Sequence, residues 1–412
     1  MRRPRALRHD RRPQVRTIGI AALGAALLAV TACSSPSTAS SGGVTGGNCT
    51  ESKTPVKISV IADLSGASPT LVVHGKAVVA AATTAAHLAN TSGGVNCAPV
   101  QLVVHDGAAS AAGVTQAVRD SINGKSVAVT GFAISGFLAG SVPLITQAKI
   151  PWMSTSPTFQ GVADIPYFYS TQVANKTLGT DAAEALKREL GGSLAGKKIA
   201  FEGTTNSATV DEILASLTAA VQAEGGTVGP VFRDPSVFTE WSSQAANAVS
   251  AGVDAVASMS SDSTNIVMNG ALKTAGFDGK FLSIVSATDA TFAKIANPDF
   301  ISMRNAAFPL PGTPLGAAVQ ESGASLDDAN ASSYFGQEFA AATALVDTLR
   351  KCGDDCTADK FASTVSAYGD YTVPLDGLYG PMKFDPRVAT MPVTIFRWDA
   401  AVSKPAAVGS AL

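Results

Sequence analysis

Five cysteines are the residues of this 412-residue chain whose chemistry depends most clearly on their position. Cys33 follows an apolar run near the N-terminus, and the other four are Cys49, Cys97, Cys352 and Cys356. A thiolate can bind zinc or act as a nucleophile, and two thiols can form a disulfide. Zinc needs several ligands at fixed spacing, but the histidines beyond the N-terminal region are scattered, at His74, His87 and His105. The even number of remaining cysteines favours disulfides in an exported protein, and no metal or other cofactor is predicted.

The first 33 residues have the order of a secretion signal. Residues 1–16 carry seven arginines and one aspartate, residues 17–30 are apolar, and Thr31 and Ala32 lead to Cys33. The 14 apolar residues fall short of the roughly 20 that a membrane-spanning helix needs. Residues 30–33, Val-Thr-Ala-Cys, resemble the lipobox of bacterial lipoproteins, whose cysteine is acylated and becomes the N-terminus after cleavage. An ordinary signal peptide is the alternative, and Arg11-Arg12 leaves the export route open.

We therefore predict a lipoprotein signal peptide over residues 1–32, followed by a lipidated Cys33 and a flexible tether over residues 33–50. Ser, Gly and Thr dominate residues 34–48, a composition typical of linkers rather than folds. The mature protein is expected outside the cytoplasm, held by lipid on the outer face of the cytoplasmic membrane or in a periplasm.

Position also predicts the disulfide pairs. Cys49 precedes the first predicted strand and Cys97 precedes the second. In a parallel sheet in which these strands are neighbours, their N-terminal ends lie side by side, within disulfide reach. Cys352 and Cys356 lie just past a long predicted helix, where a disulfide would staple the exit loop.

Charge excludes one class of partner. Without the signal peptide the chain keeps 23 of its 30 basic and 31 of its 32 acidic residues, a net charge of about −8. An acidic chain with few basic clusters is a poor candidate for binding nucleic acid. Its length suffices for two domains with their own cores.

Strand-like and helix-like segments alternate along the chain, which predicts parallel sheets linked by right-handed crossovers. The first set has strands at 56–61, 100–105 and 127–130 and helices at 75–89, 110–122 and 136–147. A second set has strands at 198–201, 227–232, 255–258 and 281–284 and helices at 210–223, 239–250 and 263–275. Residues 309–328 are predicted to form a loop, followed by helices at 333–349 and 358–366 and a strand at 393–398.

Short motifs occur in a fixed order through the mature chain. They are Ala-Asp-Leu-Ser-Gly at 62–66, His-Gly at 74–75, Gly-Gly-Val at 93–95, Ile-Pro-Trp-Met-Ser-Thr-Ser-Pro at 150–157, Thr-Glu-Trp-Ser at 239–242 and Gly-Pro-Met-Lys-Phe-Asp at 380–385. Together they resemble the type I periplasmic binding proteins of the leucine/isoleucine/valine-binding group.

This resemblance implies an α/β fold of two Rossmann-like, doubly wound lobes joined by three crossovers, near Ser170, Pro309 and Pro374. The N-terminal lobe is expected to comprise residues 51–171 and 309–373, and the C-terminal lobe residues 172–308 and 374–412. A monomer would hold a small solute between its lobes by hinge closure and deliver it to an ABC permease and ATPase. In open α/β sheets, ligands bind outside the carboxyl ends of the strands, where helix N-termini present amides.

Candidate ligand contacts in the first lobe follow from this geometry and from the resemblance. Ser135 and Gly136 lie between a strand and a helix and offer a hydroxyl and backbone amides, although Ser135 fits a helix cap equally well. The resemblance adds Ser156, Pro157 and Thr158, for which turn chemistry is the alternative, and His74, for which a helix cap or a solvated histidine is the alternative. 

Candidates in the second lobe are Asn206, Ser207, Ser261, Asp262 and Ser286. Relatives that bind amino acids carry tyrosines and an acidic residue in these stretches, and here the aromatic wall and the aligned carboxylate are missing. Asp262 or Asp289 would supply the missing carboxylate from a neighbouring position. The alternative is that each is a helix-capping or surface residue. A leucine-like amino acid, an amide, a carboxylic acid and an aromatic compound are therefore all candidate solutes.

An exported enzyme and a signalling receptor are the two alternative functions. An exported enzyme is disfavoured because the sequence has neither Gly-x-Ser-x-Gly nor Ser-x-x-Lys, and the glycine that a phosphate loop needs before Gly124 is replaced by Arg119. A receptor that signals to a membrane sensor would use the same two-lobed fold, and the sequence does not separate it from an importer component.

Overall fold

The computed structural model describes residues 44, 46–47, 49–138, 140–156, 164–205, 207–235, 238–409 and 412, with Ser135 described by its backbone alone. The predicted signal peptide, Cys33 and most of the tether lie outside the described residues, as do Pro157, Thr158 and Asn206.

Two seven-stranded sheets form within the described residues. The first contains β1 (Val56–Ala62), β2 (Val100–Asp106), β3 (Ala128–Gly131), β4 (Trp152–Ser154), β5 (Phe168–Ser170), β11 (Lys383–Asp385) and β12 (Val388–Thr390). The second contains β6 (Lys198–Thr204), β7 (Thr227–Asp234), β8 (Ala255–Ser258), β9 (Lys280–Ser283), β10 (Phe300–Arg304), β13 (Thr394–Asp399) and β14 (Lys404–Ala407). Their orders are β11-β12-β5-β4-β3-β1-β2 and β14-β13-β10-β9-β8-β6-β7.

Both sheets are mainly parallel, with antiparallel pairing confined to one side. Strands β1 to β5 and β6 to β10 pair in parallel, whereas β11 with β12, β10 with β13 and β13 with β14 are antiparallel. The buried strands read as nearly continuous apolar runs, as expected for sheets covered on both faces.

Helices cover the sheets. They are α1 (Pro69–Thr91), α2 (Ala111–Asn123), α3 (Ser135–Leu138), α4 (Val142–Ala148), α5 (Asn175–Glu189), α6 (Ala208–Ala223), α7 (Ser242–Ser250), α8 (Asp262–Thr274), α9 (Asp289–Ile295), α10 (Pro314–Glu321), α11 (Leu326–Asn330), α12 (Tyr334–Cys352) and α13 (Ala358–Ser366). Serine and threonine begin many of them: the side chains of Ser68, Ser110 and Thr313, for example, accept backbone N–H groups of the first turn.

Among the described residues, helix α1 has the length and the apolar composition that a membrane-spanning helix needs. Half of its most apolar stretch is buried inside the protein. Its buried face is mostly alanine and packs on the alanine-rich face of α12, so that small side chains bring the two helices close together. The helix therefore serves as a core helix of the first lobe.

Two predicted elements differ from the structure. The helix expected over 136–147 is divided into α3 and α4, and the loop expected over 309–328 contains α10 and the start of α11. Pro314 occupies the first turn of α10, where a proline's missing N–H has no helical partner to lose. Leu315 and Val319 are buried on one face of α10. The segment is therefore helical, although its Gly, Pro and Ser content is typical of a loop.

The third crossover lies later than predicted. The chain passes from β5 in the first sheet to α5, returns after β10, and crosses again between β12 and β13 rather than near Pro374. Residues 383–390 thus belong to the sheet of the first, N-terminal lobe and not to the second, C-terminal lobe. The physical reason is that β5 would otherwise leave the edge of the first sheet unpaired. Strand β12 pairs with it in parallel, and Phe384 contacts Tyr169 edge to face.

Both predicted disulfides are confirmed. Cys49 and Cys97 are joined, with their Cα atoms 5.5 Å apart, beside the paired starts of β1 and β2. Cys352 and Cys356 are joined at the end of α12, with their Cα atoms 5.2 Å apart.

The two disulfides close loops of very different length, 48 and 4 residues in sequence separation, so they should stabilise unequally. Chain-entropy arguments give about 4 kcal/mol for the long loop and about 2 kcal/mol for the short one. We expect the double variant Cys49→Ser/Cys97→Ser to lose roughly twice the free energy of unfolding lost by Cys352→Ser/Cys356→Ser, measured by urea denaturation. Equal losses would contradict the chain-entropy explanation.

Candidate functional site

A cavity of about 620 Å³, partly open to solvent, lies where the two lobes meet. The second lobe contributes the beginnings of α5 and α6, the segments that follow β8 and β9, and one residue of β10. The first lobe contributes the beginning of α12, and the crossovers complete the wall. The described lining residues are Gln172, Val173, Asn175, Leu178, Thr209, Ile213, Met259, Ile284, Val285, Ser286, Met303, Asn305, Ser333, Tyr334, Gln337 and Val393.

Three side-chain amides along one wall form a hydrogen-bonded chain, here called the amide row: Gln172, Gln337 and Asn305. Gln172 donates from Nε2 to Oε1 of Gln337, and Gln337 donates from Nε2 to Oδ1 of Asn305 at 3.3 Å. Gln172 also donates to the Thr155 carbonyl at 3.1 Å, and Asn305 Nδ2 lies 3.3 Å from Met391 Sδ. Gln172, Asn305 and Met391 belong to the three different crossovers, so the row links all three through α12.

An aromatic cluster lies next to the amide row on the first-lobe side. Tyr334 stands between His74 and Phe132, with ring centroids 4.7 and 4.4 Å away. His74 Nδ1 lies 2.8 Å from the hydroxyl of Ser332. Burial lowers the pKa of His74 to about 4 and raises that of Tyr334 to about 12, because a charge inside the protein loses its hydration. Both rings are therefore neutral at physiological pH.

Beneath the second-lobe side lies a buried polar network centred on Glu202. Its two carboxyl oxygens accept the hydroxyls of Ser258 and Ser260, both at 2.8 Å. Asn265 extends the network by donating to Ser283 at 2.9 Å. Burial raises the pKa of Glu202 to about 7. The carboxyl thus supports the ends of β6 and β8 without presenting a full charge to the cavity.

Glu338 plays the corresponding part in the first lobe. It is fully buried between α12 and the ends of β3 and β4, and burial raises its pKa to about 8. Thr130 Oγ1 lies 2.6 Å from Glu338 Oε1 and 2.9 Å from the Met153 carbonyl. A hydroxyl has one proton, so both contacts are satisfied when Glu338 is protonated and donates to Thr130.

The described first-lobe candidates occupy three different settings. His74 belongs to the aromatic cluster beside the cavity. Ser156 is fully buried, with its Oγ 2.6 Å from that of Ser154, and accepts the Ala133 amide at 3.0 Å. Gly136 is exposed on α3, with open space where a side chain would extend.

In the second lobe the structure places one described candidate, Ser286, in the cavity wall. Ser207 caps α6 by accepting the Val210 amide, and Ser261 contacts the Thr264 hydroxyl at 3.2 Å, at the beginning of α8. Asp262 accepts the Thr288 amide at 3.0 Å. Hydrogen bonds within the lobe therefore engage the other three side chains.

The amide row is what sequence reasoning missed. The crossovers were expected to act as connections, and isolated Gln and Asn residues carry no motif. Glu202 and Glu338 did offer a signal, since each is a lone acidic residue in an apolar strand or helix face. Within the described part of the chain, no three His, Cys, Asp or Glu side chains gather to hold a metal ion.

A cleft between two doubly wound lobes, linked by three crossovers, defines a solute-binding protein of the type I class. The chain belongs to the periplasmic binding protein family, whose profile matches residues 55–403. No curated protein matches its sequence. The match confirms the resemblance noted in the motifs, and because the family consists of solute-binding proteins, the chain is not an enzyme.

Solved structures share this fold at low identity. A fatty acid ABC transporter substrate-binding protein from Thermomonospora curvata has a TM-score of 0.70 and 17% identity, covering 90% of this chain and 95% of that one. A solute-binding protein from R. palustris, in complex with 4-hydroxybenzoate, has a TM-score of 0.70 and 18% identity over 87% and 96%. A branched-chain amino acid transporter substrate-binding protein from Streptococcus pneumoniae, in complex with isoleucine, has a TM-score of 0.70 and 14% identity over 87% and 100%. These matches confirm the predicted fold class.

The raised pKa of Glu338 makes stability depend on pH. Between the ordinary carboxyl pKa of 4.5 and about 8, the folded state keeps a proton that the unfolded chain has lost, so stability falls as pH rises through this range. One such proton contributes a slope of up to about 1.4 kcal/mol per pH unit. We expect Glu338→Gln to flatten the pH profile of the free energy of unfolding by up to this amount between pH 5 and 8.

Denaturation at pH 4.5 is the control, since Glu338 is protonated there in the native state and Glu338→Gln should lie close to the wild type in stability. Parallel pH profiles for the two proteins would show that Glu338 is ionised in the folded state.

Proposed function

We propose that this protein is the lipid-anchored, extracytoplasmic substrate-binding component of an ABC importer, and that it captures a small solute in the cavity between its lobes. The observation that carries the proposal is the cavity itself, whose wall is built by both lobes and all three crossovers. Membership of the periplasmic binding protein family supports the solute-binding part.

Capture would work by a hinge motion about the crossovers. Tyr334 and Gln337 approach the solute from the first lobe, whereas Met259, Ile284 and Ser286 approach it from the second. A solute that touches both lobes stabilises the arrangement in which they are close, because its contacts are complete only there. Closure would also create the surface that a permease recognises.

Proteins of the same fold suggest the range of solutes. One structure described above belongs to a fatty acid transporter, another holds 4-hydroxybenzoate and a third holds isoleucine. We propose an amino acid, an amide or a related carboxylic or aromatic compound. Ser286 and the amide row are the proposed contacts, with His74 in support through Tyr334. The remaining candidates, Ser135, Gly136, Ser156, Pro157, Thr158, Asn206, Ser207, Ser261 and Asp262, stay predictions.

Solute binding can be tested with the mature chain, residues 34–412, by measuring its melting temperature against amino acids, amides, aromatic and aliphatic acids, sugars and polyamines. A solute that binds only the native state adds about 2.7 kcal/mol of stability at one hundred times its Kd, so a member of one class should raise the melting temperature by several degrees. If no class does so, the solute-binding proposal fails for these compounds.

Lipid anchoring is tested in cells with the full-length protein. We expect a clickable fatty acid to label the wild type and to be absent from Cys33→Ala. Ser34→Ala, at the neighbouring position, is the matched control and should be labelled like the wild type. Labelling of Cys33→Ala would exclude Cys33 as the acylated residue.

A further inference from the structure

We infer that the solute is a monocarboxylic acid with an apolar body and without an amino group, so that amino acids are excluded despite the fold. This inference rests on the proposed function and assigns a chemical class to the same cavity.

The apolar part of the wall would hold the body of the solute. Half of the described lining residues are aliphatic or methionine side chains. Contact with them removes apolar surface of the solute from water, which is favourable by about 25 cal/mol per Å². Sugars and other polyols, which have little apolar surface, fit this wall poorly.

An ammonium group would find no counter-charge here. No Asp or Glu is among the described lining residues, and the undescribed residues 139, 157–163, 206 and 236–237 include no charged residue. The carboxyl groups near the wall are already hydrogen-bonded within the protein: Glu202 to Ser258 and Ser260, Glu212 to Asn175 at 2.7 Å, and Asp262 to the Thr288 amide. Asp289 pairs with Arg304 at 2.8 Å. Burying an unpaired ammonium costs several kcal/mol, so a zwitterion is disfavoured.

A carboxylate, in contrast, meets favourable partial charges. Three helices of 15, 16 and 19 residues begin at the cavity, and Asn175 of α5, Thr209 of α6 and Ser333 just before α12 all line it. Helix N-termini carry about half a positive charge each and stabilise anions. The same partial charges repel an ammonium group. The side-chain amides of the wall, Gln337 among them, add N–H groups that can donate to carboxylate oxygens.

Arg304, a cation beside the cavity, has its side chain turned away from it. Met303 and Asn305 line the cavity, so the side chain of Arg304 between them points to the other face of β10. Its guanidinium lies about 5 Å from the ring centroids of Phe292, Phe308 and Phe396. The anion would therefore be held by helix ends and amides rather than by an ion pair.

Matched solutes test the inference. Leucine, 4-methylpentanoate and 4-methylpentanamide share one apolar body, and phenylalanine with 3-phenylpropanoate gives a larger pair. Isothermal titration of the mature chain should show each carboxylate binding at least tenfold more tightly than its amino acid, and 4-methylpentanoate more tightly than its amide. Tighter binding of leucine or phenylalanine, or equal binding of the amide, would overturn the inference while the proposed function stands. Binding of a sugar alone would overturn the inference and the solute range proposed above but leave the solute-binding role. No binding by any solute class would overturn both the inference and the proposed function.

A pair of isosteric variants locates the effect in this cavity. Ser286 is half-buried in the wall, so Ser286→Asp and Ser286→Asn introduce side chains of equal size that differ in charge. With folding checked by thermal melting, Ser286→Asp should weaken carboxylate binding at least tenfold more than Ser286→Asn does. Equal affinities of the two variants would place the carboxylate elsewhere and refute the assignment.

Discussion

The amide row is the constraint on which the two-lobed architecture depends. A hinge of three separate segments could flex at each segment independently. Here Gln337 is hydrogen-bonded to Gln172 of the first crossover and to Asn305 of the second. Asn305 in turn contacts Met391 of the third crossover. The crossovers are therefore held by a residue of α12 that also lines the solute cavity. The same groups that would contact a solute thus set the relative position of the lobes.

Each lobe has a buried glutamate near the carboxyl ends of its strands, and the resemblance between the two arrangements is physical rather than sequential. Glu202 lies in a strand and Glu338 in a helix, yet burial raises the pKa of both. A protonated carboxyl can donate as well as accept, which lets it satisfy serine and threonine hydroxyls that would otherwise be unpaired. At neutral pH Glu338 is therefore mostly uncharged, whereas Glu202 is partly charged.

Much of the fold was predictable because periodicity and capping residues act locally. The strands β1, β2, β6 and β8 and the helices α2, α8 and α13 lie within a few residues of their predicted positions. The third crossover was not predictable, because the pairing of β12 with β5 depends on an edge more than 200 residues away in sequence. The same holds for the cavity: Ser286 follows a strand and could be proposed, whereas the amide row forms only when distant segments meet.

The late return of the chain to the first sheet has a consequence for how the protein is made. Strand β12 completes that sheet only after the whole second-lobe segment between α5 and β10 has been synthesised. Until residue 388 is available, the edge of β5 with which β12 later pairs stays open. An unpaired strand edge can pair with another chain, so the first sheet is exposed to aggregation throughout this interval.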